Sequence, residues 1–321
     1  MGEFELIRNF FAAAPCAQGG AGVALGIGDD CALLDVPFGE QLAISTDTLV
    51  AGVHFADPCD PFLLGQRSLA VAASDLAAMG ATPLAFTLAL TLPTVEAAWL
   101  EAFTRGLNLM AQACDLRLIG GDTTRGPLCL TVTVFGRVPK GQALSRSGAR
   151  PGDLLCVGGE LGDAAGALPL VLGQRSATPA IAEALLAHYW SPQPQFALGQ
   201  TLRNKATSAL DISDGLLADC GHIALASQVG LQIDNDRVPT SLALQAFLGD
   251  AGAQQAAMSG GDDYVLAFTL PAVELPTLLA DGWPIHVIGR VTEGQGVSLI
   301  DKHGHDITPA IRGYQHFGAA L

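Results

Sequence analysis

The chain has 321 residues, of which 31 are acidic and 16 are lysine or arginine, so its formal charge is −15. Half of the residues are hydrophobic and 15% are charged. This composition excludes a disordered chain, and the length suffices for two domains of roughly 150 residues each. An acidic protein repels phosphate backbones and anionic lipid headgroups, so we expect neither nucleic acid nor a membrane as a partner.

The cysteines and the first residues favour a reducing compartment. The seven cysteines are odd in number and none falls in a Cys-x-x-Cys pair, which favours reduced thiols over a disulfide framework or a zinc site. The opening segment MGEFELIRNFF lacks the basic stretch of a signal peptide. No uncharged apolar stretch reaches the roughly 18 residues of a membrane helix. We therefore expect a cytoplasmic enzyme.

Lysine is scarce in this chain. Only Lys140, Lys205 and Lys302 occur, and there is no Gly-Lys dipeptide. A P-loop is thereby excluded, because it needs a lysine directly after glycine. If the protein handles phosphates, metal ions must supply most of the positive charge.

Strand and helix patterns alternate along the first half of the chain. This alternation predicts an α/β (α+β) fold. The predicted elements, in chain order, are a helix at 3–13, a glycine-rich turn at 19–28, a strand at 42–46, a helix at 61–79, a strand at 84–92, a helix at 94–114 capped by Thr94, and strands at 116–119 and 128–138.

The sequence GARPG at 148–152 is the best candidate linker, so we predict two domains, 1–148 and 149–321. The second half repeats the alternation of strands and helices. Its predicted elements are a strand at 154–157, helices at 163–172, 179–189 and 194–205, a strand at 207–212, a helix at 214–229, and strands at 231–234, 264–270, 285–291 and 297–301.

Many acidic residues stand beside glycine, serine or threonine near the predicted ends of apolar segments. These clusters are residues 28–30, 45–47, 120–124, 211–215 and 259–263, with Asp75 inside an apolar helix. A buried carboxylate is costly unless it is paired, hydrogen-bonded or bound to a cation. Carboxylate and hydroxyl oxygens suit Mg²⁺ or Ca²⁺ rather than zinc, so the joint pattern predicts a metal site.

Each cluster alone also has a purely structural interpretation. Residues 45–47 could form a cap or an Asx-turn, 211–215 could cap the following helix, and Asp75 could face solvent. The metal interpretation is favoured because so many carboxylates would repel one another without cations. His54, in the apolar segment GVHF, is by itself more typical of a core or surface histidine.

Eight motifs follow one another over nearly the whole chain. They are GIGDDCALL (26–34), STDTLVAGVHF (45–55), SLAVAASDLAAMGATP (68–83), LIGGDTTRG (118–126), RSGARPGD (146–153), LDISDGLLAD (210–219), SGGDDYVL (259–266) and GYQHF (313–317). In this order they resemble the thiamine-monophosphate kinases, a family of the aminoimidazole-ribonucleotide synthetase-like superfamily. The second and fourth motifs together are specific to this family.

The resemblance implies a fold and a reaction. The N-terminal α/β domain would bind ATP and magnesium and pair its sheet with a second copy in a homodimer, and a C-terminal α/β domain would follow. ATP and several Mg²⁺ ions would lie in a cleft. The γ-phosphoryl group of ATP would pass directly, in line, to thiamine monophosphate, giving thiamine diphosphate and ADP. The acceptor is itself an ionised phosphate, so no dedicated catalytic base is required.

The resemblance also assigns roles to individual residues. The implied metal ligands are Asp30, Ser45, Thr46, Asp47, Asp75, Asp122, Asp211 and Asp214. The implied nucleotide contacts are Gly121, Asp122, Arg146, Ser213 and Arg105, which stands where relatives often have tyrosine. The implied substrate contacts are His54, Asp262, where the family usually has glutamate, and an aromatic residue near the C-terminus, Phe317 or Tyr314.

Other functions remain open at this point. Selenophosphate synthetase or aminoimidazole-ribonucleotide synthetase would share the acidic loops, although Cys16 has no lysine near it in the sequence, as the selenophosphate chemistry would need. A non-catalytic module that binds Mg²⁺-ATP would release no ADP. A phosphate-ester hydrolase would release phosphate without an acceptor.

Overall fold

The computed structural model describes residues 2–310 and 312–314. The chain divides into two units. The first contains the residues up to Leu76 and Ala81–Ala143, and the second contains Ala77–Gly80 and the residues from Leu144 onward. No helix in the described ranges is long and apolar enough to cross a membrane.

The first unit contains a four-stranded sheet with helices. Its elements are α1 (Glu3–Leu6), a π-helical segment (Ile7–Ala12), a 3-10 turn (Pro15–Ala17), β1 (Val23–Leu25), β2 (Leu33–Leu34), β3 (Glu40–Val50), α2 (Pro61–Ala78), whose last two residues belong to the second unit, β4 (Thr82–Leu92), α3 (Ala97–Ala113), β5 (Arg117–Arg125) and β6 (Cys129–Pro139).

The order of the four long strands is β3-β6-β4-β5. Strands β3 and β4 both run antiparallel to β6, and β5 runs parallel to β4 after the crossover through α3. In this order β3 and β5 are the two edges of the sheet. Residues of the two edges are therefore separated by three strand spacings, or about 14 Å.

The two faces of this sheet differ in burial. On one face, Leu130, Val132 and Val134 of β6 are fully buried, whereas Thr131 and Thr133 on the other face are only half-buried. The β1–β2 hairpin covers part of that second face, where Val23 and Leu34 pack against Ile119, Leu84 and Ala85. Ile44 and Leu42 of β3 remain exposed on the second face.

The second unit contains a six-stranded mixed sheet of order β12-β9-β11-β7-β10-β8. Its elements are β7 (Leu154–Val157), α4 (Asp163–Val171), α5 (Pro179–Trp190), α6 (Phe196–Leu202), β8 (Ser208–Asp211), α7 (Leu216–Ser227), β9 (Gly230–Asp234), a 3-10 turn (Asn235–Arg237), α8 (Leu242–Ser259), β10 (Leu266–Leu270), α9 (Leu275–Ala280), β11 (His286–Thr292) and β12 (Gly296–Ile300).

Both faces of the second sheet are buried. Leu155, Val157 and Ala267 belong to an apolar cluster with α7, whereas Cys156 and Phe268, which alternate with them, belong to a cluster with α6. Alternation along a strand places neighbouring residues on opposite faces, so a sheet covered on both sides needs apolar residues at every position. Each unit combines a sheet with helices, which confirms the predicted α/β fold class.

Several predicted element boundaries are wrong. Residues 45–47 and 120–124 were expected where the strands end, at residues 46 and 119, but they lie inside β3 and β5, which extend beyond these predicted ends. Helix α3 begins at Ala97 after Glu96, so Thr94 is not its cap. Helix α8 was not predicted, because its apolar residues form no continuous stripe and Gly249 interrupts them. In the structure Gly249 has φ 73° and the helix is kinked there.

Helices α2 and α3 cross at two glycines. An added Cβ on Gly106 would overlap the carbonyl oxygen of Phe62, and one on Gly65 would overlap that of Phe103. The two backbones can approach this closely only because neither glycine carries a side chain. The crossing fixes the position of α2, and hence that of Asp75.

We expect Gly106→Ala to lower the free energy of unfolding by about 1–3 kcal/mol, the usual cost of overpacking, because one of the helices must move. Gly221→Ala is the matched control, since Gly221 is also inside a helix but a Cβ there meets open space. The control should be neutral or stabilising by up to about 1 kcal/mol. Urea unfolding measures both values, and equal effects would contradict the close crossing.

Candidate active site

Strand β3 carries acidic and hydroxyl groups at alternate positions. Asp47 pairs with Val132 and Ser45 with Val134, so both side chains are on the buried face of the sheet. The Ser45 hydroxyl donates a hydrogen bond to Oδ2 of Asp75 on α2. Thr46 is on the opposite face, where its hydroxyl is 2.9 Å from that of Thr133. The structure thus brings together Ser45, Asp47 and Asp75 and separates Thr46 from them.

Asp47 and Asp75 repel each other in a half-buried position. Burial, and then the charge of Asp75, raise the pKa of Asp47 to about 6. Two carboxylates held this way on rigid elements, with a hydroxyl beside them, match the oxygen ligands that Mg²⁺ takes. A divalent cation would relieve both the desolvation and the repulsion, so this group of residues fits a metal ion.

A second acidic group lies at the other edge of the sheet. A cleft of about 620 Å³ is lined by Asp29 and Asp30 from the β1–β2 connection and by Gly121 and Asp122 of β5. Asp30 and Asp122 are both exposed. Gly121 has φ 154° and its Cβ would overlap the Leu88 carbonyl, so this strand position accepts no side chain.

The two acidic groups are far apart within one chain. Asp47, Val132, Leu88 and Gly121 form one row across the four strands, with Asp47 and Gly121 at its ends. The row spans about 14 Å, too far for Asp47 and Asp122 to bind one ion. Consistent with this separation, no three His, Cys, Asp or Glu side chains of the described residues form a group that could hold a metal ion.

His54 lies in the turn that follows β3. Its Nδ1 accepts the backbone N–H of Val50 over 3.0 Å, and its carbonyl oxygen accepts from the buried Arg67 over 3.4 Å. Because Nδ1 is an acceptor, the proton of the neutral ring is on Nε2. The ring therefore has a hydrogen-bond donor at Nε2.

In the second unit, Asp211 ends β8 and Ser213 and Asp214 follow in the loop before α7. Asp211 is buried, whereas Ser213 is exposed. The backbone N–H groups of this loop donate to Asp219, in the first turn of α7. Burial is the main cause that raises the pKa of Asp219 to about 6; the Asp214 amide lowers it and the Asp214 charge raises it.

The loop 259–264 packs against this segment. Asp262 adopts φ 68° and accepts a hydrogen bond from the Tyr264 hydroxyl over 3.0 Å. Asp263 accepts the Gly162 N–H through Oδ1, while Oδ2 is buried without a partner in the described part of the chain. Burial raises the pKa of Asp263 well above its usual range.

Four further predicted residues are at the surface or outside the described residues. Arg146 is exposed in the segment between the two sheets, and Arg105 is exposed on α3 and is not among the residues that line the cleft of Asp30 and Asp122. Tyr314 is exposed, and its backbone N–H donates to the Asp214 carbonyl oxygen. Phe317 lies outside the described residues.

Three residues have contacts in the structure that neither the motifs nor the resemblance assigned to them. Asp29 lines the cleft beside Asp30, and its Oδ1 accepts the Asp30 N–H. Asp219 binds the loop amides, and Arg67 holds the turn of His54. For Arg67 and Asp219 the available signal was a charged residue inside the apolar helices at 61–79 and 214–229, the same signal that singled out Asp75. For Asp29 it was membership of the acidic cluster 28–30.

Two family descriptions match the chain. The AIR synthase related protein family matches through its N-terminal domain at residues 28–138 and through its C-terminal domain at residues 150–302. Among curated proteins, the thiamine-monophosphate kinase of Escherichia coli K12 is 46% identical over 98% of both chains. That of Salmonella typhimurium LT2 is 44% identical over the same shares.

Solved structures agree. The thiamine-monophosphate kinase of Stenotrophomonas maltophilia K279a superposes with a TM-score of 0.85 at 45% identity, covering 93% of this chain and 96% of that one. A structure described as AaThiL complexed with AMPPCP and TMP gives 0.80 at 30% identity, covering 88% and 89%. Escherichia coli HypE, at 21% identity and 0.78, shares the fold alone. The predicted family is thus confirmed: this chain belongs to the thiamine-monophosphate kinases.

Proposed function

We propose that the protein transfers the γ-phosphoryl group of ATP to thiamine monophosphate, producing thiamine diphosphate and ADP. The observation that carries the proposal is the carboxylate pair of Asp47 and Asp75, half-buried and aligned by Ser45. The family membership supports the choice of substrates, since a 30% identical relative is described as complexed with AMPPCP and TMP.

The residues that would hold magnesium fall into three groups. Ser45, Asp47 and Asp75 form the first, and Asp30 and Asp122 form the second. Asp211 and Asp214 of the second unit form the third. Thr46 is on the opposite face of β3 from Asp47 and belongs to none of these groups, but it stays a proposed ligand. When bound, several Mg²⁺ ions would neutralise the phosphate charges that meet as the γ-phosphoryl moves in line to the acceptor oxygen.

The side chains of this protein then have to orient the two anions. Gly121 lines the cleft and is a proposed contact of the nucleotide, and Ser213, Arg105 and Arg146 are its proposed further contacts. Arginine suits this role because its guanidinium binds phosphate oxygens through two parallel hydrogen bonds. The chain offers few other cations for this purpose.

The acceptor is oriented by hydrogen-bond donors and a carboxylate. His54 has its proton on Nε2, so it donates to the substrate and removes no proton. Asp262, held by Tyr264, is the proposed second contact, and Phe317 or Tyr314 would pack on the thiamine rings. An ionised phosphate oxygen attacks without a base, so we assign His54 no role as a catalytic base.

We infer further that the active enzyme is a homodimer. Asp47 and Asp122 are at opposite edges of one sheet, so a common site needs the β3 edge of one chain and the β5 edge of another. The exposed Ile44 and Leu42, on the face that α2 does not cover, support pairing of two such sheets. A two-fold axis would create two equivalent sites in one dimer.

We place the enzyme in the cytoplasm. All seven cysteines are free thiols, and Cys16, Cys114, Cys156 and Cys220 are buried. Burial raises the pKa of the Cys16 thiol to about 11, which keeps it protonated and unreactive. Unpaired cysteines of this kind are typical of proteins kept in a reducing compartment.

The direct test combines purified protein, ATP, Mg²⁺ and thiamine monophosphate, with chromatography of all products. We expect thiamine diphosphate and ADP in equal amounts, and neither when a chelator removes the metal. Release of phosphate without an acceptor would indicate a hydrolase instead. Nucleotide binding without ADP formation from any acceptor would indicate a non-catalytic module.

We expect Asp47→Asn to lower turnover by about 100-fold or more, since changes even behind a metal ligand cost 10- to 100-fold. Without divalent ions at pH 7.5 the variant should be more stable than the wild type. The raised pKa of Asp47, about 6, means that the ionised group opposes folding above that pH. Below about pH 4 the group is protonated in both states, so the gain should vanish.

Thermal unfolding with and without Mg²⁺ measures this difference. The wild type should gain more from Mg²⁺ than the variant does. Asp35→Asn is the control, because Asp35 is an exposed carboxylate of the same unit that does not line the cleft of Asp30 and Asp122. A destabilised Asp47→Asn protein at pH 7.5 would show that the Asp47 carboxylate stabilises the fold itself rather than binding a metal.

A further inference from the structure

The backbone amides of the loop between β8 and α7 bind a carboxylate of the protein itself, that of Asp219. Three successive amides, those of Ser213, Asp214 and Gly215, each donate over 3.0 Å to a single oxygen, Oδ2 of Asp219. Asp219 is 4% exposed. Consecutive amides that converge on one point form a concavity of the kind that binds phosphate in other proteins. Here the Asp219 carboxylate fills that concavity.

The carbonyl groups of the same loop are also engaged. The carbonyl oxygens of Ile212, Ser213 and Asp214 accept, over 2.8–3.0 Å, the backbone N–H groups of Tyr264, Asp262 and Tyr314. Two separate segments therefore hold the loop from outside, while Asp219 holds it from within. No amide of residues 213–215 remains for a phosphate group.

The backbones of the two neighbouring segments lie very close to the carbonyl oxygens of the loop. A Cβ on Gly261 would overlap the Ser213 carbonyl oxygen, and one on Gly313 would lie 2.5 Å from that of Asp214. Asp262 and Tyr264 both have positive φ, 68° and 52°, which is costly for residues with a side chain. This backbone persists only because the surrounding hydrogen bonds determine it.

These hydrogen bonds determine which polar groups of the loop are left to bind a ligand. The Ser213 hydroxyl and the Asp214 carboxylate have no hydrogen-bond partner within the described ranges, and Ser213 is exposed. The loop therefore presents side-chain oxygens, which suit a cation, rather than amides, which suit a phosphate. The geometry of the loop depends on the Asp219 carboxylate, which is buried and therefore out of reach of a ligand.

We propose that Asp219 is a positioning residue of the kinase. Its carboxylate binds the amides of residues 213–215 and so orients Ser213 and Asp214 toward the magnesium-bound nucleotide, whose phosphates do not bind these amides. The inference rests on the proposed function for the identity of the ligand. It adds a residue that touches neither metal nor substrate.

The first test compares Asp219→Asn and Asp219→Ala with the wild type. The asparagine variant keeps the shape and one acceptor oxygen but loses the charge, whereas the alanine variant leaves three amides without an acceptor. We expect the Mg²⁺ concentration at half-maximal activity, and KM for Mg²⁺-ATP, to rise by about 10- to 100-fold, the usual effect of losing a group that orients a ligand. The alanine variant should show the larger rise.

The matched control is Asp163→Asn. Asp163 is another buried carboxylate at the start of a helix of the same unit, and it accepts the Ser241 hydroxyl over 2.6 Å. We expect this variant to lower the unfolding temperature without changing the Mg²⁺ dependence. If the variants of Asp219 and Asp163 all lower the unfolding temperature and none of them changes the Mg²⁺ dependence, Asp219 is only structural and the proposal fails.

Amide hydrogen exchange of the wild type provides a second test that needs no variant. We expect the amides of residues 213–215 to be protected in the free protein and to gain no protection when Mg²⁺-ADP binds. Fast exchange that slows on nucleotide binding would show that these amides bind phosphate, which would overturn the proposal. This measurement holds whichever acceptor the enzyme uses, so its outcome is separate from that of the product assay.

Discussion

Repulsion between carboxylates is the constraint on which this structure depends. Asp47 and Asp75 face each other from a strand and a helix that the core holds in place, and burial makes their charges harder to accommodate. A domain tolerates such a pair at neutral pH when a cation binds between the groups. The scarcity of lysine also creates a need for bound cations, because the chain has few side chains that could neutralise a triphosphate.

The order of the strands decides how the acidic groups can be used. A sheet of order β3-β6-β4-β5 places the ligands of β3 and β5 on opposite edges. Within the first unit, one chain therefore carries two separate acidic groups at opposite edges of the sheet. The exposed apolar residues on one face of the sheet provide a physical reason for a second copy to complete them. The proposed kinase activity and the proposed dimer thus follow from one topology.

The sequence was sufficient to predict the fold class and which residues carry the acidic groups, but not their arrangement. Apolar periodicity located α2 and β4 closely, because both are long and strongly patterned. It ended β3 and β5 at residues 46 and 119, since polar residues inside a strand resemble a loop. As a result, the separation of Thr46 from Asp47 by alternation could not be foreseen. The helix α8 was missed because Gly249 interrupts its pattern. The dependence of Ser213 and Asp214 on Asp219 needs coordinates, because several segments distant in sequence meet there.

Complementation between two inactive variants tests the shared site most directly. Asp47→Asn and Asp122→Asn proteins should each be inactive as homodimers. When their subunits are exchanged at equal concentration, half of the dimers are mixed, and one of the two sites in each mixed dimer contains both native aspartates. We expect recovery of about a quarter of wild-type activity. If mixed dimers form, as shown by two different affinity tags, and the activity stays absent, then Asp47 and Asp122 do not act in one site across two chains.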